Sequence, residues 1–173
     1  CGKLSIMDVF YQHGVKFTAL VPHTVKPSSP RWRKNVDEFD RVCRVVRGIK
    51  GMTVGAIGAR TTPFKTVRID ELALQRHGIT VETMDLSDLF LRMRSIDPGS
   101  ARYRARWEQM TGFSNWDSVP GSAFDNIVRL GVALGDIAEE LDLDAMAIRC
   151  WDEMQKQVGI SPCVDMGMLN DEG

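Results

Sequence analysis

Two carboxylates near the end of the sequence are placed where a ligand or a proton could meet them. Asp165 interrupts the apolar stretch 163–169, where a charge has to be paired, bound to a metal ion or converted to its neutral acid. Glu153 follows a predicted strand and is flanked by Trp151 and Gln155, so a carboxylate, an aromatic face and an amide lie together. This set suits a polyhydroxylated ligand, although a lone glutamate in such a position is more often a surface helix residue.

A polar loop follows the central predicted strand. Gly55 and Gly58 in that strand are typical either of a dinucleotide-binding loop or of close packing between strands. The third glycine and the helix start of the dinucleotide motif are missing, and Pro63 argues against a phosphate cradle, so the sequence favours close packing. Because ligands of open α/β sheets sit beyond the carboxyl ends of the strands, Arg60 and Arg68 are the candidate polar groups of this loop.

The elements that must position these residues alternate between helices and strands. Apolar residues at helical spacing predict helices at residues 4–13, 31–47, 86–93, 122–141 and 163–169. Apolar runs bounded by turn residues predict strands at residues 16–21, 52–59, 79–85 and 144–149. Ser87 is the expected capping residue of the helix at 86–93, and the polar stretch 97–121 is assigned no element. The order predicts a doubly wound, Rossmann-like α/β fold with a mostly parallel sheet flanked by helices.

The composition limits the classes of partner. The chain has 173 residues, and its 22 Lys and Arg against 23 Asp and Glu leave a net charge of −1. It therefore has no overall attraction to nucleic-acid backbones or anionic membranes. No apolar run reaches the roughly 18 to 20 residues of a membrane-spanning helix, and no signal peptide is recognisable, which favours a cytoplasmic location. The cysteines show no metal-binding pair and are expected to be free thiols: Cys1, Cys43, Cys150 and Cys163.

An arginine-rich segment gives a weaker signal. Arg102, Arg104 and Arg106 stand beside Tyr103 and Trp107, a combination that could contact RNA or a phosphorylated ligand. The same pattern is more often a solvated helix or a subunit contact, and the sequence favours that interpretation.

Several stretches together resemble a known family. One run is residues 54–68, VGAIGARTTPFKTVR, followed by residues 70–72 and 78–82. A second is CWDE at 150–153, with GISPC at 159–163 and MLND at 168–171. The first run resembles the second domain of the L-fucose/L-arabinose isomerase family, and the second is similar to that family's approach to its metal site. The opening at residues 1–17 is similar to the crossover from the family's first domain.

The resemblance implies a cytoplasmic homo-oligomer that isomerises an open-chain aldose to a ketose, with a sugar of the L-fucose or L-arabinose type. In that family a divalent cation, usually manganese, stabilises the oxyanion of an ene-diol while carboxylates move a proton between the first two carbons. Carried onto this sequence, the metal ligand and proton-transfer group falls at Asp165, with Glu153 the next choice. The candidate substrate-binding residues are Arg60, Arg68, Trp151 and Gln155.

The implied metal site is incomplete within this sequence. By the resemblance, a second acidic ligand would follow Gly173, and a histidine ligand would belong to a third domain. Residues 1–30 are interpreted as a crossover segment from a preceding domain, and residues 31–173 as an α/β domain truncated before the rest of the metal site. The chain is therefore expected to be a fragment of the isomerase that is metal-poor and inactive by itself.

Two other functions remain open from the sequence. The chain could be a non-catalytic sugar-binding or regulatory module, which predicts saturable sugar binding without a metal ion. It could instead be an assembly module, which predicts a tight oligomer without a response to ligands, with the segment around Trp107 and Trp116 as the contact surface.

Overall fold

The computed structural model describes residues 2–173, and these divide into two compact units at Val46 and Arg47. The first unit contains helix α1, Gly2–Gln12, and most of helix α2, Pro30–Ile49, which runs past the boundary. Ser29 caps α2, because its Oγ accepts a hydrogen bond of 3.2 Å from the backbone N–H of Trp32. The helices predicted at residues 4–13 and 31–47 are both confirmed.

The second unit is built on a three-stranded parallel sheet. Its strands are β1 (Thr53–Ile57), β2 (Thr80–Met84) and β3 (Ala145–Ile148), and they lie in the order β2-β1-β3. The helices of this unit are α3 (Glu71–Arg76), α4 (Leu86–Ser95), α5 (Ala101–Phe113), α6 (Gly121–Glu140), α7 (Glu153–Val158) and α8 (Cys163–Glu172). A short 3-10 turn lies at Lys65–Val67. A parallel sheet flanked by helices confirms the predicted fold class.

Helix α6 carries most of the core. Its apolar residues repeat at helical spacing and nine of its residues are buried, because neighbouring helices α4, α5 and α8 pack against it. One face of the sheet adds Ile57 and the partly buried Met84, Met146 and Ile148 to the same cluster. The core is therefore a helix layer packed on one sheet face. Within residues 2–173, none of the helices combines the length and apolar character needed to span a bilayer.

Close packing explains the glycines of β1. A Cβ at Gly55 would lie 2.6 Å from Leu143 Cδ1, and Gly58 has a φ of +82° with Leu86 Cγ only 2.8 Å from the position of a Cβ. The prediction that these glycines serve packing, and not a dinucleotide loop, is confirmed.

Two local predictions were wrong, and one helix was not predicted. Residues 16–21 form no strand, because a strand exists only through a hydrogen-bonded neighbour and none pairs with this segment in the part of the chain described. Asp85, not Ser87, is the residue before α4, and its side chain makes no capping bond. The unassigned stretch 97–121 contains α5, whose start is marked by Ser100 Oγ accepting from the backbone N–H of Tyr103 at 3.2 Å.

Candidate functional site

The candidate site lies where β1 and β3 end. Ile57 and Ile148 are register partners in these parallel strands, so the loops that follow both strands leave the sheet at the same edge. Thr61 Oγ1 donates a hydrogen bond of 3.0 Å to the carbonyl oxygen of Trp151. The rings of Phe64 and Trp151 also meet, with centroids 5.5 Å apart and planes inclined by 58°. Two loops 90 residues apart in sequence are thus joined at one edge.

The two predicted arginines of the β1 loop behave differently. Arg60 Nη1 donates to the carbonyl oxygens of Thr61 at 3.2 Å and Thr62 at 2.7 Å, so its guanidinium holds the shape of its own loop. Arg68 is exposed at the end of the 3-10 turn and makes no hydrogen bond or ion pair with any residue from 2 to 173. The structure thus places Arg60 beside Thr61 at the shared edge, while the role of both arginines in substrate binding stays a prediction.

The β3 loop presents the aromatic and acidic candidates. Trp151 is 55% exposed, and its carbonyl oxygen also accepts a hydrogen bond of 3.0 Å from Arg149 Nε. Glu153, the first residue of α7, is half-buried. The amide of Gln155, oriented to satisfy its hydrogen bonds, donates to the carbonyl oxygens of Cys150 at 2.5 Å and Asp152 at 3.3 Å. Gln155 therefore braces the turn that presents Trp151.

Asp165 lies in a different environment, at the junction of α5, α6 and α8. Its side chain is fully buried, and neither carboxyl oxygen has a hydrogen-bond partner among the described residues. Oδ1 lies against Gly131 of α6, and Nε of Arg106 approaches the same glycine: both atoms lie within 3.0 Å of the position that a Cβ of Gly131 would occupy. The absence of a side chain at Gly131 makes room for the carboxyl group.

The charges around Asp165 come from two helices. Arg106 of α5 is buried and forms an ion pair with Glu172 of α8, at 2.9 Å between Nη1 and Oε1, and Gln109 Nε2 donates to the same oxygen at 2.7 Å. Burial raises the pKa of Asp165 from 3.8 to about 7; the Arg106 charge acts in the opposite direction, and the Glu172 charge adds to the rise. Near neutral pH this carboxyl group is thus divided between its acid and its carboxylate.

The described residues alone do not make a divalent-cation site around Asp165. Manganese prefers several hard oxygen ligands together with imidazole, and no group of three His, Cys, Asp or Glu residues within 2–173 could hold a metal ion. The buried guanidinium of Arg106 moreover acts on Asp165 as a positive charge, which repels a cation. Burial without hydrogen-bond partners disfavours the charged form of Asp165, in keeping with its raised pKa. That Asp165 is a metal ligand or catalytic group therefore remains a sequence-based prediction without structural support.

Sequence reasoning missed three residues of these two places. Thr61 and Phe64 lie in the loop after β1 that the sequence analysis singled out. Only their contacts with Trp151, which the structure shows, mark them as residues of the site. Arg106 was grouped with exposed arginines. Its position three residues after Tyr103 and four before Met110, both buried, is the helical spacing that could have indicated a buried side chain.

The cysteines agree with the prediction of free thiols where the structure describes them. Cys43, Cys150 and Cys163 are free thiols, and the prediction for Cys1 falls outside the described residues.

Two comparisons with known proteins bear on the family. Residues 1–50 match the family model described as the N-terminal domain of fucose/sulfoquinovose isomerase, and the match ends close to the boundary between the two units at Val46. The chain is also 25% identical over 154 residues to a sulfoquinovose isomerase of Alkalicoccus urumqiensis. That alignment covers 84% of this chain and 33% of the relative, so the chain spans about a third of the length of the curated relative it matches.

Proposed function

We propose that this chain, a relative of the fucose-type isomerases, contributes the sugar-binding sheet edge of an enzyme that interconverts an aldose and a ketose. The observation that carries the proposal is the joining of the β1 and β3 loops in a chain with this family relationship: Thr61 and Phe64 from one loop meet Trp151 from the other. An aromatic surface with a few fixed polar groups is the usual composition of a small-molecule site.

The reaction requires a proton to move, and Glu153 is the candidate group at this edge. In the forward direction a base takes the proton from C2 of the open-chain aldose; the C2–H electron pair forms the C1–C2 double bond of an ene-diol, while the C1=O π pair moves to O1, which then takes up a proton. Return of a proton to C1, with transfer of the O2 proton, gives the ketose, so the sugar alone is rearranged and no outside oxidant is needed. Glu153 is half-buried and follows Trp151 by two residues in the chain, and we propose that its carboxylate reaches a sugar lying on the Trp151 ring.

The manganese ion implied by the resemblance is kept as a prediction for the whole enzyme. Since the positive charge of Arg106 acts on Asp165, we propose that any metal ion takes its ligands from groups other than Asp165. We also propose that the sugar is of the L-fucose or L-arabinose type and that this chain is one part of the enzyme.

A titration with two kinds of polyol tests the sugar-binding role. Isomerases of this type need the open-chain sugar, so we expect the chain to bind L-fucitol or L-arabinitol, which cannot close a ring, more tightly than the corresponding methyl glycosides, which cannot open. Backbone amide shifts in NMR spectra should change in residues 58–64 and 149–155. Tighter binding of the methyl glycosides would contradict the proposal and favour a non-catalytic sugar-binding module. A chain that forms a tight oligomer and responds to neither polyol would favour an assembly module.

An activity assay tests the incompleteness separately. With L-fucose or L-arabinose and added Mn²⁺, the chain alone should give no conversion of aldose to ketose above the background without protein. Robust turnover by the chain, abolished by a chelator, would show that its own residues complete the catalytic site.

A further inference from the structure

We propose that Phe64 forms, together with Trp151, the surface on which the C–H face of the sugar packs, and that Thr61 is the positioning residue that fixes this surface. The inference rests on the proposed function and gives Phe64 and Thr61 separate, testable roles in the same site. Neither residue carries a charge or a metal-binding group, so both are specific to binding and not to proton transfer.

The exposure of the two rings is the first argument. Phe64 is 41% exposed and Trp151 is 55% exposed, so both rings offer apolar surface to a ligand. Each ring supports the other at 5.5 Å between centroids, with planes inclined by 58°, so the pair forms an angled apolar surface and not two separate side chains. An exposed aromatic pair at the carboxyl edge of a parallel sheet is placed where ligands of this architecture bind.

The second argument is that polar contacts fix the backbone under both rings. The Trp151 carbonyl oxygen accepts from Thr61 Oγ1 and from Arg149 Nε, each at 3.0 Å. Arg60 closes the other loop through the carbonyl oxygens of Thr61 and Thr62. Because the backbone on each side is held before a ligand arrives, less conformational entropy is lost when the sugar binds.

The chemistry of a monosaccharide matches this arrangement. One side of an extended or cyclic sugar presents several C–H groups, which pack on aromatic rings, while its hydroxyl groups need hydrogen-bond partners around the edge. Glu153 stands beside Trp151 in sequence and can accept from a hydroxyl group.

The test compares affinities for L-fucitol, measured by NMR titration. Phe64→Ala should weaken binding about five- to tenfold, while Phe113→Ala, which removes another exposed phenylalanine at the end of α5, should leave the affinity unchanged. Phe64→Tyr should retain binding, because it keeps the ring. Phe64 is in an exposed loop, so unchanged amide shifts in α6 will verify that the variant is folded.

Thr61 is tested through the neighbouring tryptophan. Thr61→Val should shift the indole N–H resonance of Trp151 in the free protein and weaken L-fucitol binding about threefold, the cost of one modest hydrogen bond. Thr61→Ser should restore both properties, and Thr62→Val, a change of the same kind at the next position, should alter neither.

The outcomes separate the two proposals. If the chain binds L-fucitol at residues 58–64 and 149–155 but Phe64→Ala and Thr61→Val bind it equally well, this inference is overturned and the proposed function stands. If the unmodified chain binds no polyol at these residues, the proposed function fails, and the inference fails with it.

Discussion

Oδ1 of Asp165 lies so close to Gly131 that a Cβ added at position 131 would stand 2.4 Å from it. Helix α6 therefore accepts α8 only because residue 131 has no side chain. The buried carboxyl group, the glycine and the nearby Arg106 form one packing unit of three helices.

This relationship predicts the effect of a single methyl group. Gly131→Ala should lower the free energy of unfolding by about 1 to 3 kcal/mol, because Asp165 or Arg106 must move to accommodate it. Urea denaturation will measure the change. Gly135→Ala is the matched control one turn further along α6, where a Cβ meets nothing within 4 Å; it should be neutral or stabilising by up to about 1 kcal/mol. Equal effects at both positions would contradict the packing argument.

A pH-dependent stability follows from the raised pKa of Asp165. Between pH 4 and about 7 the folded protein keeps this proton while the unfolded chain releases it, so the contribution of Asp165 to stability falls as pH rises through that window. Asp165→Asn cannot be ionised, so it should be more stable than the original chain at pH 8, by up to about 4 kcal/mol, and close to it at pH 4.

Urea unfolding at several pH values checks this, with Asp171→Asn, an exposed change on the same helix, as the control. A difference between Asp165→Asn and the original chain that is the same at pH 4 and pH 8 would show that the carboxyl group is not protonated in the folded state.

The same variant distinguishes a metal ligand from a packed acid. The charged groups acting on Asp165 are Arg106 and Glu172, which are paired with each other, and residues 2–173 contain no group of three possible metal ligands. Asp165→Asn should therefore leave the affinity of the chain for Mn²⁺ unchanged. Electron paramagnetic resonance of free Mn²⁺ measures the binding directly. A loss of affinity of tenfold or more would restore Asp165 as a ligand.

The position of the β1 loop depends on Gly58. Gly58→Ala combines a left-handed φ of +82° with contacts of 2.8 Å to Leu86 and 3.0 Å to Arg149, so it should destabilise the chain by about 2 to 4 kcal/mol and weaken L-fucitol binding. Gly51→Ala has a similar φ of +96° with nothing within 4 Å of the Cβ. This variant should lower the free energy of unfolding only through backbone strain, by about 1 kcal/mol, and should leave the affinity for L-fucitol unchanged. Loss of affinity in Gly51→Ala would indicate that general destabilisation, not the loop, is responsible.

Local patterns in the sequence determined most of the fold. The apolar runs at β1, β2 and β3 and the helical spacing in α2 and α6 depend on residues a few positions apart, and each was assigned correctly. The strand predicted at 16–21 was wrong for a related reason: an apolar run indicates a strand only if a partner strand is available, and pairing is not a local property. Helix α5 was not predicted because its buried and exposed faces differ little in polarity: the buried face includes Arg106 beside Tyr103 and Met110.

The candidate site was also predicted only in part from the sequence. The sequence alone singled out the loop after β1, the CWDE turn after β3 and the charge within the apolar stretch of α8. Only the tertiary structure decided that Thr61 and Phe64 meet Trp151 across 90 residues, and that Asp165 faces Gly131 and Arg106. The register of parallel strands brings the two loops to one edge, and helix packing sets the neighbours of a buried acid. Both are relationships between distant segments, which residue types and spacing do not encode.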